Sequence, residues 1–179
     1  MFSGKEILSC LTPFALYPES RFHGPAHWAR VNHFGQELAR LNGLPLDAKQ
    51  CVSVFAWVHD LARTDDGGGN QHAIEGASYF DVVRPVVFPN LKKNQVEIVQ
   101  TAIFFHSDGM PAESAYYRGL FDHLDGDENE IITTVGCCWD ADRLDLIRLG
   151  IQPQAQSMST EYWERVLPLA ETLHKRKDV

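Results

Sequence analysis

The chain has 179 residues, 44% hydrophobic and 22% charged, and its 16 basic and 24 acidic side chains leave a net charge of −8. That length and balance predict one globular domain with a sizeable core. The acidity weighs against long nucleic acid as a partner, since the only run of basic residues is the terminal Lys175, Arg176, Lys177, read as a frayed tail. No apolar run approaches the roughly 20 residues of a membrane helix.

The opening MFSGKEILSCLTPFALYPES has one lysine and a short apolar patch broken by Pro13. It lacks a basic n-region, a full apolar stretch and a small-residue cleavage site, so it is not read as a signal peptide. Residues 1–24 are expected to be irregular. HWARVNHFGQELARL, from His27, carries Val31, Phe34, Leu38 and Leu41 at helical spacing and ends at Asn42-Gly43 before Pro45. Asp47 is the expected N-cap of AKQCVSVFAWVHDLA, apolar nearly all round and so a central, buried helix. Thr64 to Gly69 reads as a loop. Asn70 is the expected cap of a helix from Gln71 to about Val83, stopped by Pro85, and Asn94 that of QVEIVQTAIFFHS. A polar loop from Asp108 to Asp127 leads into EIITTVGCCWDADRLDLIRLG, one long helix or two abutting ones ending at Gly150. Thr160 is the expected cap of the last helix, EYWERVLPLAETLHK, with a kink at Pro168. Nothing demands a sheet: the expected fold is an all-α bundle of about six or seven helices, a single domain over 1–179 with its core in about 23–151 and a C-terminal helix over 160–175. Cys10, Cys51, Cys137 and Cys138 match no zinc or CxxC redox spacing, which favours reduced thiols and a cytoplasmic location.

The chemistry-bearing residues gather at helix ends. His27 opens the first main helix, His59 and Asp60 close the central one, His72 lies in the first turn after the glycine loop, and His106 ends the next helix. Asp140, Asp142 and Asp145 follow on the DADRLD helix. Imidazole and carboxylate together suit Zn, Mn, Fe, Co or Ni. Adjacent His59 and Asp60 point about 100° apart on a helix, so they grip one ion from two sides or divide between two. Asp140 and Asp142 are two apart and face different ways, so one reaches a metal while the other pairs elsewhere, as with Arg143 on the surface. Arg63 is four after His59 and on the same face. It is placed to hold a phosphate bidentately, or else to pair with Asp65 or Asp66. His23, in HGP four residues before His27, reads as a loop residue over the pocket for substrate contact or proton transfer, or as a plain surface histidine. His33, His123 and His174 are read as non-functional, Gly67-Gly68-Gly69 as a pocket rim and not a P-loop, and Phe104, Phe105, Trp139 and Trp163 as core.

Spaced this way, the H…HD…D pattern resembles the HD-domain metal-dependent phosphohydrolase superfamily. HWARV resembles its first metal-histidine helix, VHDLAR its doublet, HAIEGA and AIFFHSDGMP the two extra histidines of binuclear members, and ADRLDL the segment with the last aspartate. His23 to Ile151 is also similar to a bacterial HD group with HGxxHWxRV and CWDADRLDL. The resemblance implies that His27, His59, Asp60 and Asp142 are the core metal ligands, and that His72 and His106 hold a second ion or contact substrate phosphate. SDGMP replaces the GYP segment of one branch, and Ala62-Arg63 the acidic pair of the guanosine-tetraphosphate hydrolases, so neither of those activities is expected.

The expected function is hydrolysis of a small phosphorylated metabolite or nucleotide. One or two divalent ions (Mn, Zn, Fe, Co, Ni or Mg) would activate the water, with Asp60, Arg63 and His23 in catalytic roles. Two alternatives stand beside it: an HD-fold di-iron oxygenase, which uses the same H…HD…H…H…D set, and a non-catalytic module that binds a metal or nucleotide.

Overall fold

The structure is a computed structural model that describes residues 4–175. Among these residues it is all-helical, with eight α-helices and no strand: α1 (Gly4–Leu11), α2 (Pro25–Leu41), α3 (Leu46–Val58), α4 (Gln71–Val87), α5 (Lys93–Phe105), α6 (Ala112–Tyr117), α7 (Glu128–Asp145) and α8 (Trp163–Lys175). Arg176 and Lys177 of the basic tail lie outside the described residues. No described helix is long and apolar enough to cross a membrane.

The bundle is built on α3. Cys51, Val52, Val54, Phe55, Ala56, Trp57 and Val58 are all buried on it, as expected of a helix apolar all round. α2, α7 and α5 pack along it, and α4 packs on α5. α2 presents Trp28, Val31, Phe34 and Leu38 to the core at spacings of three and four. Between two of these lies Gly35, where an added Cβ would stand 2.7 Å from Val52 Cγ1, so the lack of a side chain lets α2 and α3 approach. The chain alternates direction. α2 and α4 begin, and α3, α5 and α7 end, at one end of the bundle, which therefore collects His27, His72, His59, His106 and Asp142.

Several local readings are corrected. Residues 1–24 are not irregular throughout: α1 forms and tucks Leu11 into the core. The cap of α3 is Pro45, and Asp47 lies inside the first turn, where its charge still favours the helix dipole while it pairs with Lys92. Asn70 is the N-cap of α4 as expected, but only its backbone O accepts, from Ala73 and Ile74 N–H, and its side chain makes no capping bond. Pro85 does not stop α4, which runs to Val87; so near the C-terminus the missing N–H costs one bond, and Phe88 N–H still reaches Arg84 O at 2.8 Å. α5 starts two residues early, with Gln95 Oε1 accepting from Lys92 N–H at 3.0 Å. Part of the loop over 108–127 is α6, whose Ala112 and Ala115 are small enough to seat it on α7. α8 begins at Trp163, not after Thr160.

Candidate metal centre

Four helices present four imidazoles inward at the collecting end, and two carboxylates join them. His27 and His59 are buried at 2% and 0% exposure. Their Nε2 atoms face each other at 3.1 Å. His27 Nε2 lies 3.2 Å from Asp142 Oδ1 and 3.5 Å from Asp60 Oδ2. His59 Nε2 lies 3.6 and 3.5 Å from the same two oxygens. On the other side of Asp60, His72 Nε2 and His106 Nε2 also face each other at 3.1 Å, and they lie 3.5 and 3.8 Å from Asp60 Oδ1. One carboxylate thus turns an oxygen to each histidine pair. His23 Nδ1 adds a contact to Asp60 Oδ2 at 2.9 Å, held by its own N–H bonding to Ser20 Oγ at 2.8 Å.

The outer nitrogens explain why the inner ones are lone pairs. His59 Nδ1 lies 3.2 Å from Ala56 O, His106 Nδ1 2.6 Å from Ile103 O, and His27 Nδ1 2.7 Å from Asp145 Oδ2. Each of these acceptors selects the tautomer with hydrogen on Nδ1, which leaves the Nε2 lone pair facing inward. Two such lone pairs at 3.1 Å repel unless a positive charge lies between or beside them.

Protonation supplies that charge in the metal-free chain. Burial opposes a proton on His27, but Asp142, Asp145 and Asp60 outweigh it and raise the pKa to about 10. Burial lowers that of its partner His59 in spite of Asp60 and Asp142. Burial also opposes a charge on His106, yet Asp60 and Asp142 raise it, whereas burial and the His106 charge push His72 down to about 3. Each pair therefore has one histidine raised and its partner lowered. Burial works against both carboxylates, and the surrounding histidines still hold Asp60 and Asp142 well below the usual range.

A divalent ion fits the same geometry. Ligand atoms sit about 2.0–2.2 Å from such an ion, so neighbouring ligands stand about 3.0–3.5 Å apart. The nitrogen–nitrogen and nearest nitrogen–oxygen separations above fall in or close to this range. The donor set, imidazole with carboxylate, suits a transition metal. Three helix C-termini, of α3, α5 and α7, also point their negative ends at the cluster.

Of the residues singled out in the sequence, His23, His27, His59, Asp60, His72, His106 and Asp142 are brought together. Arg63 is at the cluster but pairs with neither Asp65 nor Asp66: its Nε donates to Asp60 Oδ1 and its Nη1 to Gly67 O, both at 2.9 Å. The Asp140–Arg143 pair forms, with Nη1 3.7 Å from Oδ1, but inside the protein and not on its surface. Asp140 is fully buried and accepts from Ser159 N–H at 2.9 Å, Thr160 N–H at 2.7 Å and the Thr160 hydroxyl at 2.8 Å, which is why Thr160 caps nothing. Phe104, expected in the core, is 39% exposed. His123 bonds Thr101 in a groove between α4 and α5, away from the cluster.

The outer support was missed. Asp145 accepts from Arg30 Nε at 2.6 Å and Nη2 at 2.9 Å, and from Arg148 Nη1 at 2.8 Å, besides holding His27. Arg148 Nη2 continues to Phe22 O, next to His23. The signal was spacing: Arg30 follows His27 by three, Asp145 follows Asp142 by three, and Arg148 follows Asp145 by three, each pair on one helical face.

The fold and this cluster define an all-α bundle with a buried His/Asp group able to hold a metal ion. No family model, curated protein or solved structure matches the chain.

Proposed function

We propose that the chain is a metal-dependent phosphohydrolase acting on a small phosphorylated metabolite or nucleotide, in the manner of the HD-domain superfamily that its motifs resemble. The observation that carries this reading is the pair of Nε2–Nε2 contacts at 3.1 Å on either side of the Asp60 carboxylate. His27, His59, Asp60 and Asp142 would hold one divalent ion and Asp60, His72 and His106 a second, and such ions would supply a Lewis acid for activating water and polarising a phosphoryl oxygen. The protein's own share is positional. Arg63 fixes the Asp60 carboxylate from the side, a role that replaces the phosphate clamp expected of it. His23, with its side chain 18% exposed, moves a proton at Nε2 while Asp60 holds Nδ1. His27, His59, Asp60, His72 and His106 are buried, which restricts water around the reacting group.

The test is turnover. Protein loaded with Mn, Co, Ni or Zn is assayed against a broad panel of nucleotides and phosphoesters. Cleavage of at least one, lost in Asp142→Asn, is expected; no cleavage anywhere contradicts the reading.

A second reading, oxygen activation by two irons, gains support from Arg63. Its commitment to Asp60 and Gly67 O occupies the cation that the phosphate reading wanted free. Iron in the protein as isolated, with a mixed-valence signal, favours that reading; Zn or Mn alone counts against it.

A further inference from the structure

The two halves of the cluster are not equivalent. We propose that they load unequally: the position bounded by His27, His59, Asp60 and Asp142 takes a divalent cation tightly, the position bounded by Asp60, His72 and His106 takes a second one weakly and exchangeably, and Asp145 is the positioning residue that sets the difference. The inference rests on the metal reading and adds to it how occupancy of the site is regulated.

Ligand number is the first ground. The tight position has four protein ligands, two of them carboxylates; the weak one has three, and its only carboxylate is Asp60, shared with the other. A cation entering second therefore meets less negative charge and the repulsion of the first.

Orientation of the histidines is the second ground. At the tight position both rings are fixed from behind. His59 bonds Ala56 O and stacks on Phe55 at 4.9 Å and 20°. His27 bonds Asp145, and three guanidinium nitrogens of Arg30 and Arg148 hold that carboxylate in place. A carboxylate on the far ring nitrogen makes the inner one a stronger ligand than a carbonyl does. At the weak position only His106 has such support, from Ile103 O. Among the described residues His72 has no partner at Nδ1, and its Nε2 is contacted by the Ser107 hydroxyl at 3.2 Å, which competes for the same lone pair. His72 is also the most exposed of the four, at 8%.

The consequence is a site that stays singly occupied when divalent cations are scarce and becomes doubly occupied as they rise, so free cation concentration sets which form is present.

Zinc binding by competition with a chromophoric chelator, and manganese binding by calorimetry, test this on the full chain. Two classes of site are expected, at least about tenfold apart. Asp145→Asn is expected to weaken the tight class by about 10- to 100-fold and leave the weak class in place. His72→Ala is expected to remove the weak class and leave the tight one. In ¹⁵N-resolved NMR of the zinc-loaded protein, His27 is expected to show a hydrogen-bonded Nδ1–H with Nε2 on the metal, and Asp145→Asn to shift that Nδ1–H resonance, a change that mere packing would not produce. A single class of equal sites, or unchanged affinity and an unchanged His27 Nδ1–H resonance in zinc-loaded Asp145→Asn, overturns the inference while the metal reading stands. Loss of both classes in His72→Ala also overturns it, and that variant decides the matter should Asp145→Asn fail to fold. Wild-type protein that binds neither zinc nor manganese overturns the metal reading itself.

Discussion

His59-Asp60 is a common dipeptide, and its meaning comes from neighbours distant in sequence. Asp142 and Asp140 show how two aspartates on one helix separate in role. Asp142 faces His27 and His59, and Asp140 faces the backbone of 159–160. Asp142→Asn should therefore abolish metal retention with little change in helix content, read by elemental analysis and circular dichroism. Asp140→Ala should lower stability by about 2–4 kcal/mol, because three donors and the nearby Arg143 lose their acceptor, and should leave metal retention intact. The doublet and the four inward histidines were legible in the sequence because each stands near a helix end, whereas only the resemblance of ADRLDL favoured Asp142 over Asp140. The partners of Arg63 and the support of Asp145 were not, because a guanidinium reaches several acceptors and sequence spacing alone does not rank them.

Protonation gives a second prediction at the same scale. His27 rises from 6.5 to about 10 in the metal-free fold, so its share of stability is complete below pH 6.5 and is lost as pH climbs towards 10. His72, lowered from 6.5 to about 3, contributes above pH 6.5 and loses that share as pH falls towards 3. Urea midpoints of the metal-free protein should decline on both sides of this point. Saturating zinc should remove the alkaline decline, because the ion displaces the His27 proton on binding.

Among the elements, the interior helices were readable because apolar spacing reports a buried face directly: α2, α3, α5 and α7 stand within a few residues of their expected positions. The ends were harder. Asp47 and Asn94 are both good capping residues, yet each lies inside its helix, since Pro45 and Lys92 already have extended backbone at the cap position. α6 was hidden in a polar segment because six residues with only two buried alanines leave little periodicity to detect. The α2–α3 contact offers a direct test. Gly35→Ala places a Cβ 2.7 Å from Val52 Cγ1, and a packed β-branched neighbour has little room to yield. The expected cost is about 1–3 kcal/mol, seen as a lower urea midpoint at unchanged m-value.

At the scale of the whole molecule, alternation of helix direction converts ligands far apart in sequence into one cluster. His27 and Asp142 are 115 positions apart, yet their atoms stand 3.2 Å from each other. The all-α class was legible because no stretch alternates with strand period. Convergence of the ends follows from short connections between antiparallel neighbours, which a list of helices does not by itself impose. Gathering buried carboxylates and histidines at one end is costly without a cation, so metal binding should stabilise the fold. At an ion concentration 100 times its dissociation constant the gain is about 2.7 kcal/mol for each position.

The central claim is that this cluster holds metal through the shared Asp60 carboxylate. Metal content per chain, measured by elemental analysis after equilibration with zinc or manganese and removal of excess, tests it most directly in wild type and Asp60→Asn. The account predicts one to two ions retained by wild type and a near-complete loss in the variant. Wild-type protein that retains no more metal than Asp60→Asn would contradict it.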